Sequence, residues 1–204
     1  MKNLMNRFLS ASSAITLLTI CVSLAAAYAM SGSLIGSVSV SDLRSLGGVT
    51  IDDLRAWELW RIPVSQLLHA KPLHMLFNTL WLFLLGQLLE QRIGALRLLT
   101  LWLIAGGIAT AVSPIGLESP WNVGTGASQA VFAFASCALV LAARHAVNRK
   151  YANALASTYM ATGLLLDVVS TGYPKPGHLA GALLGAVLGA MFVERVRRTR
   201  PQAW

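Results

Sequence analysis

Four polar residues stand at the edges of this sequence's apolar runs, and together their types could carry acyl transfer. Ser128 lies in Asn122-Val-Gly124-Thr-Gly126-Ala127-Ser128-Gln129, at the start of an apolar stretch. His178 opens another, Gly177-His178-Leu-Ala-Gly181, in which glycine then recurs at Gly185 and Gly189. His74 and Asn78 are four apart, so on a helix they share a face, with Asn78 one turn deeper. A serine hydroxyl is a weak nucleophile until a base removes its proton, and histidine is the usual base. Two donors stacked on one face can hold the negative charge that develops on an attacked carbonyl. The backbone N–H of Ser128 would be among the first of its helix, without an intrahelical partner, and so could join them. Taken singly, each feature has an ordinary structural use. A His–Asn pair can glue helices, a serine can cap or pack, and a glycine stripe can be a helix zipper that ends in a histidine. Their conjunction, at similar depth below one side, raises the chemical reading.

The elements that must position these groups are membrane helices. Of 204 residues, 55% are hydrophobic and only 12% charged, against roughly 25% charged in soluble domains. A spanning helix needs about 17–25 mostly apolar residues. Six stretches qualify or nearly do: Leu9–Met30, Leu73–Glu90, Leu96–Val112, Gly126–Ala143, Tyr151–Val169 and His178–Val193. In lipid, backbone groups must bond within their own segment or within a closed barrel, and these runs lack the alternation of barrel strands. The fold class expected is therefore an all-α membrane bundle of six transmembrane helices. In the first run, Lys2 and Arg7 precede the apolar stretch and Ala27-Tyr28-Ala29 looks like a cleavage site. A signal peptide is the alternative there, and the length of the run favours an uncleaved span.

The net charge of +8 is distributed, not clustered for nucleic acid. With a cytoplasmic N-terminus, Lys2, Arg7, Arg92, Arg97, Arg144, Arg149, Lys150, Arg195, Arg197, Arg198 and Arg200 fall inside. Only Arg44, Arg55, Arg61, Lys71 and Lys175 fall outside. This is the positive-inside bias, and six spans return the C-terminus to the cytoplasm. The expectation is a multi-pass protein, with bacterial inner membrane the location inferred. The chain reads as one domain over 1–204: a core of about 60–194, an interfacial first loop over 31–71 and a basic cytoplasmic tail over 195–204 that anchors at lipid headgroups. Trp57 and Trp60 suit the headgroup layer, and the first loop is expected to carry one or two short helices lying in the membrane plane. The second outer loop, Ser113 to Thr125, holds Pro114, Pro120 and Trp121 and no lysine or arginine. Cys21 and Cys137 fall inside spans, form no disulfide framework or metal-ligand spacing, and read as small buried thiols. No metal or other cofactor is implied. His145, beside Arg144, has no partner that the sequence names.

In their order and spacing these motifs resemble the rhomboid intramembrane proteases, from about Trp60 to Glu194. Trp60-Arg61 resembles the family's Trp-Arg pair in the first loop. His69, His74 and Asn78, followed by Gly86 and Glu90-Gln-Arg-Ile-Gly94, fit its second helix. Gly126-Ala127-Ser128 resembles its Gly-x-Ser-Gly nucleophile motif, and His178-Leu-Ala-Gly181 its histidine helix. The resemblance implies a serine endopeptidase with a Ser128–His178 dyad and no third acid. His74, Asn78 and the Ser128 amide would bind the oxyanion, and Gly126, Gln129, Phe132 and Gly181 would line or support the pocket. Substrates would be transmembrane proteins cut near the outer face. Phe132 would stack under His178, or else pack in the core or against lipid. Asp167, near the outer end of the fifth span, could orient His178 as a third acid, but the favoured expectation is that it reaches headgroups or water, and it stands outside the implied site. The departure is Gln129, where the family has glycine. It motivates an alternative, a weak or inactive relative that binds or chaperones transmembrane segments. A small transporter is a third class, but no internal repeat or midplane site supports it. The sequence leaves oligomeric state open.

Overall fold

A computed structural model describes residues 10–119 and 122–198, with side chains to Glu194. The readings on Lys2, Arg7, Pro120, Trp121, Arg200 and the side chains of Arg195, Arg197 and Arg198 lie outside the described residues.

Helix α1 (Ala11–Ser31) starts at Ser10, whose hydroxyl accepts from the Ser13 amide, and stops at Gly32 in the left-handed conformation. Its first N–H groups, on Ala11 and Ser12, donate at 2.8 and 2.9 Å to the carboxylate of Glu90. An acidic side chain at a helix N-terminus meets both orphan donors and the positive end of the dipole. Glu90 belongs to α5 (Pro72–Ile93), so this contact clamps α1 to α5 at the end of the bundle opposite the site described below.

Between α1 and α5 the chain forms three short helices, α2 (Val40–Ser45), α3 (Ile51–Arg55) and α4 (Arg61–Ser65). Thr50 and Asp53 make a capping box on α3. Asp53 also receives the Arg44 guanidinium at 2.9 Å. Arg61 donates to the carbonyls of Arg44 and Gly48 and pairs with Glu58, while its guanidinium lies 4.7 Å over the Trp60 ring. The expected loop is thus a folded layer, with Trp57 and Trp60 among its most exposed side chains.

Gly94 turns the chain from α5 into α6 (Ala95–Val112), whose middle, Leu101–Gly106, widens into a π-helical segment. Helix α7 (Ser128–Ala143) has 16 residues, α8 (Arg149–Thr171) has 23 and α9 (Pro176–Arg198) has 23. Five of the six long helices are long and apolar enough to cross a membrane; α7 is the shorter sixth. At ~24 Å it falls short of a ~30 Å hydrocarbon layer. Its surroundings explain this. Nearly all of its side chains are buried, so α7 is the centre post of the bundle and meets protein instead of lipid. The sequence spans lie within a few residues of these helices, and the all-α membrane bundle is the fold found.

The glycine face of α9 lies on α7. A Cβ on Gly181 would meet the Gln129 carbonyl oxygen at 2.4 Å, and one on Gly185 the Ala133 carbonyl oxygen at 2.2 Å. Only residues without side chains let the two backbones approach this closely.

Candidate active site

The segment that carries Ser128 is positioned mainly by backbone. Val49 and Gly124 exchange both N–H···O=C bonds, at 3.1 and 2.7 Å, and the Gly126 N–H donates to the Ser65 carbonyl at 2.9 Å. Gly126 has φ of +93°, a conformation that favours glycine. The first loop therefore holds the turn that delivers Ser128 as the first residue of α7.

A buried imidazole completes that support. Burial, helped by the neighbouring His74, pushes His69 down to about 3, so its ring is neutral. Nε2 then accepts from the Ala127 N–H at 3.2 Å and from the Asn78 amide at 3.3 Å. Nδ1–H donates to the Ser23 hydroxyl at 3.0 Å, which donates in turn to the Leu67 carbonyl at 2.6 Å. Every polar atom in this chain of bonds is used.

Ser128 Oγ lies 2.9 Å from His178 Nε2. The His178 ring stacks on Phe132 at 4.4 Å between centroids and 17° between planes. Phe132 sits one turn below Ser128, and Gly163 on α8 makes room for its ring, since a Cβ there would meet the ring at 2.7 Å. The stacking expectation for Phe132 is met. Gln129 is also buried. Its Oε1 accepts from the Ser128 hydroxyl at 3.1 Å, and its Nε2 donates to the Ser113 hydroxyl at 3.4 Å.

Asn78 is buried close by and His74 is exposed, meeting His69 edge to face at 5.5 Å. The structure joins Asn78 to the nucleophile through a residue the sequence reading passed over. The Tyr159 hydroxyl, on α8, is shared between Asn78 Oδ1 and the Ser128 carbonyl, each at 3.2 Å. An aromatic in an apolar run reads as bulk; no spacing rule singles out Tyr159.

Asp167 overturns its expectation. It is 2% exposed rather than at headgroups or water. Its Oδ2 lies 2.6 Å from His178 Nδ1 and accepts the Lys175 N–H at 3.0 Å, while Oδ1 is 3.8 Å from Lys175 Nζ. Burial lowers the Lys175 pKa, opposed by the Asp167 charge. The signal was present: a carboxylate inside Gly163-Leu-Leu-Leu-Asp167-Val-Val is costly unless something buried answers it.

The arrangement supplies a hydroxyl, a base in contact with it, and an acid behind the base, beside donors near the first turn of a helix. This is the geometry of nucleophilic catalysis on a carbonyl.

Residues 56–195 match the Rhomboid domain model. Rhomboid protease AarA of Providencia stuartii is 26% identical over 160 residues, 66% of this chain and 56% of that protein. RHOMBOID-like protein 5 of Arabidopsis thaliana is 30% identical over 156 residues, 74% of this chain and 50% of its own length. Rhomboid protease GlpG of Haemophilus influenzae is 39% identical over 51 residues, 25% of this chain and 27% of that protein. The chain thus spans about half the length of the first two of these relatives. With most of its length under the family model and its apolar helices packed as a multi-pass bundle, this chain belongs to the rhomboid family, a family of intramembrane proteases.

Proposed function

We propose that this protein is an intramembrane serine endopeptidase in which Ser128 is the nucleophile and His178 its base. The observation that carries the reading is the 2.9 Å contact between Ser128 Oγ and His178 Nε2. Ser128 Oγ attacks the scissile carbonyl carbon, and its proton passes to Nε2. The oxyanion is met by the Ser128 N–H, which has no intrahelical partner, and by Asn78 and His74. Collapse breaks the C–N bond, and Nε2 returns the proton to the leaving amine. Water then attacks the acyl-enzyme, giving its proton to Nε2, and the ester C–O bond breaks as Ser128 recovers its hydrogen. Gly126 lets the nucleophile turn form, Gly181 lets α9 bring His178 to α7, and Phe132 sets the plane of the imidazole. The substrates are membrane proteins cut within or beside a transmembrane helix, near the outer face of a bacterial inner membrane. Both termini are cytoplasmic and the whole chain acts as one domain. The orientation rests on the positive-inside bias, and cleavage near the outer face rests on the site's place at one end of the bundle.

The test is cleavage of a model single-span substrate by the purified full chain in proteoliposomes. The wild type is expected to cut it and Ser128→Ala to leave it intact; equal cleavage by both contradicts the assignment.

Gln129 favours a second reading. Its Oε1 competes for the same hydroxyl hydrogen that His178 must take. A protein in which that contact prevails would bind transmembrane segments without cutting them. In that case Ser128→Ala would retain full function in cells.

A further inference from the structure

The acid behind the base extends the proposed chemistry. Asp167 stands eleven residues before His178, on a different helix, and the two meet because the turn after Gly172 reverses the chain between α8 and α9, which both pack on α7. We propose that Asp167 is a positioning residue for His178, so that this chain works with a Ser128–His178–Asp167 relay in place of a two-residue dyad. This rests on the reading of Ser128 as nucleophile.

The geometry fixes the hydrogens. With Oδ2 at 2.6 Å, Nδ1 carries the hydrogen and donates it to the carboxylate. Nε2 is then left with its lone pair facing Ser128 Oγ at 2.9 Å, the tautomer that general-base chemistry needs. When Nε2 takes the serine proton, the imidazolium sits against a carboxylate that does not itself become protonated. The carboxylate is held in turn by the Lys175 N–H and faces the Lys175 ammonium. A buried, paired carboxylate costs desolvation, and its partners here all belong to the turn and to the base. Among the described residues, the ionisable groups that interact with this cluster include His74 and Lys71 at the start of α5 and Tyr159 on α8.

Asp167→Asn tests the idea in the full-length protein, reconstituted and treated with a fluorophosphonate that labels activated serines. The expected result is at least about a 10-fold fall in labelling rate. Asp167→Glu should recover part of the rate. Histidine ¹⁵N spectra of the wild type should show His178 with Nδ1 protonated and Nε2 bare, and Asp167→Asn should abolish that preference. An unchanged rate and tautomer in Asp167→Asn would overturn the proposal while leaving the dyad standing. If Asp167→Asn does not fold, the wild-type tautomer and Asp167→Glu decide: a bare Nδ1 sinks it. A wild type unlabelled at Ser128 removes the nucleophile reading itself, and the spectra still report whether Asp167 sets the tautomer.

Discussion

The two halves of the site are held by different means. The Ser128 half is fixed mainly by backbone, through a two-bond bridge to Val49 and a bond to the Ser65 carbonyl, with the neutral His69 ring under the Ala127 amide. The His178 half is fixed by side chains: a carboxylate at Nδ1 and an aromatic ring on its face. Backbone contacts leave a serine where it is through large changes of sequence nearby. Side-chain contacts can be removed by a single substitution. The base half is therefore where single mutations should separate chemistry from folding, and the nucleophile half is where they should merge.

The largest expected effect is on the base half. His178→Ala should lower cleavage by at least about 10³-fold, while thermal unfolding of the purified protein stays close to wild type. A comparable loss of stability would mean that His178 holds the bundle together. Tyr159→Phe probes the joint between the halves. It strips a hydrogen bond from buried Asn78 Oδ1 and from the Ser128 carbonyl, and activity should fall about 10-fold, equivalent to ~1.4 kcal/mol. Unchanged turnover would take Asn78 orientation out of the account. Gln129→Gly removes the competing acceptor, and fluorophosphonate labelling should quicken by about 3-fold. Slower labelling would instead make Gln129 a supporting member of the pocket.

The smallest effect lies in the first loop, and it is set by pH. Burial alone would raise the Asp53 carboxyl, but the Arg44 guanidinium and the Thr50 hydroxyl and amide outweigh it and hold the carboxyl below the ordinary carboxylate range. A folded-state value below the unfolded one gives stability that is fully present above about pH 4 and is lost as pH falls through the folded value. Asp53→Asn should cost about 1 kcal/mol at neutral pH and flatten the acid limb of the stability–pH curve. An undiminished acid limb would place the acid-sensitive group elsewhere.

Much of this was legible before any coordinates. Hydropathy located the helices to within a few residues, because lipid forces a long apolar run to be a helix. The glycines of α9 announced a close contact, and Ser128 and His178 announced the chemistry that contact could serve. The rest waited on tertiary structure. Tyr159 is chemically unremarkable in an apolar run, and only packing shows its hydroxyl meeting Asn78 and Ser128. Asp167 was visible but misplaced. Periodicity puts it on a helix near one end, but which face turns inward depends on how α8 leans on α7, and that is a tertiary fact. The shortness of α7 was likewise unexplained until its burial on all sides became visible.

The central claim, that Ser128 is a nucleophile activated by His178, is tested most directly by locating the fluorophosphonate adduct by peptide mass spectrometry. The account predicts a single modified residue, Ser128, in the wild type and no adduct in His178→Ala. An adduct on another residue, or one on Ser128 that survives His178→Ala undiminished, would contradict it.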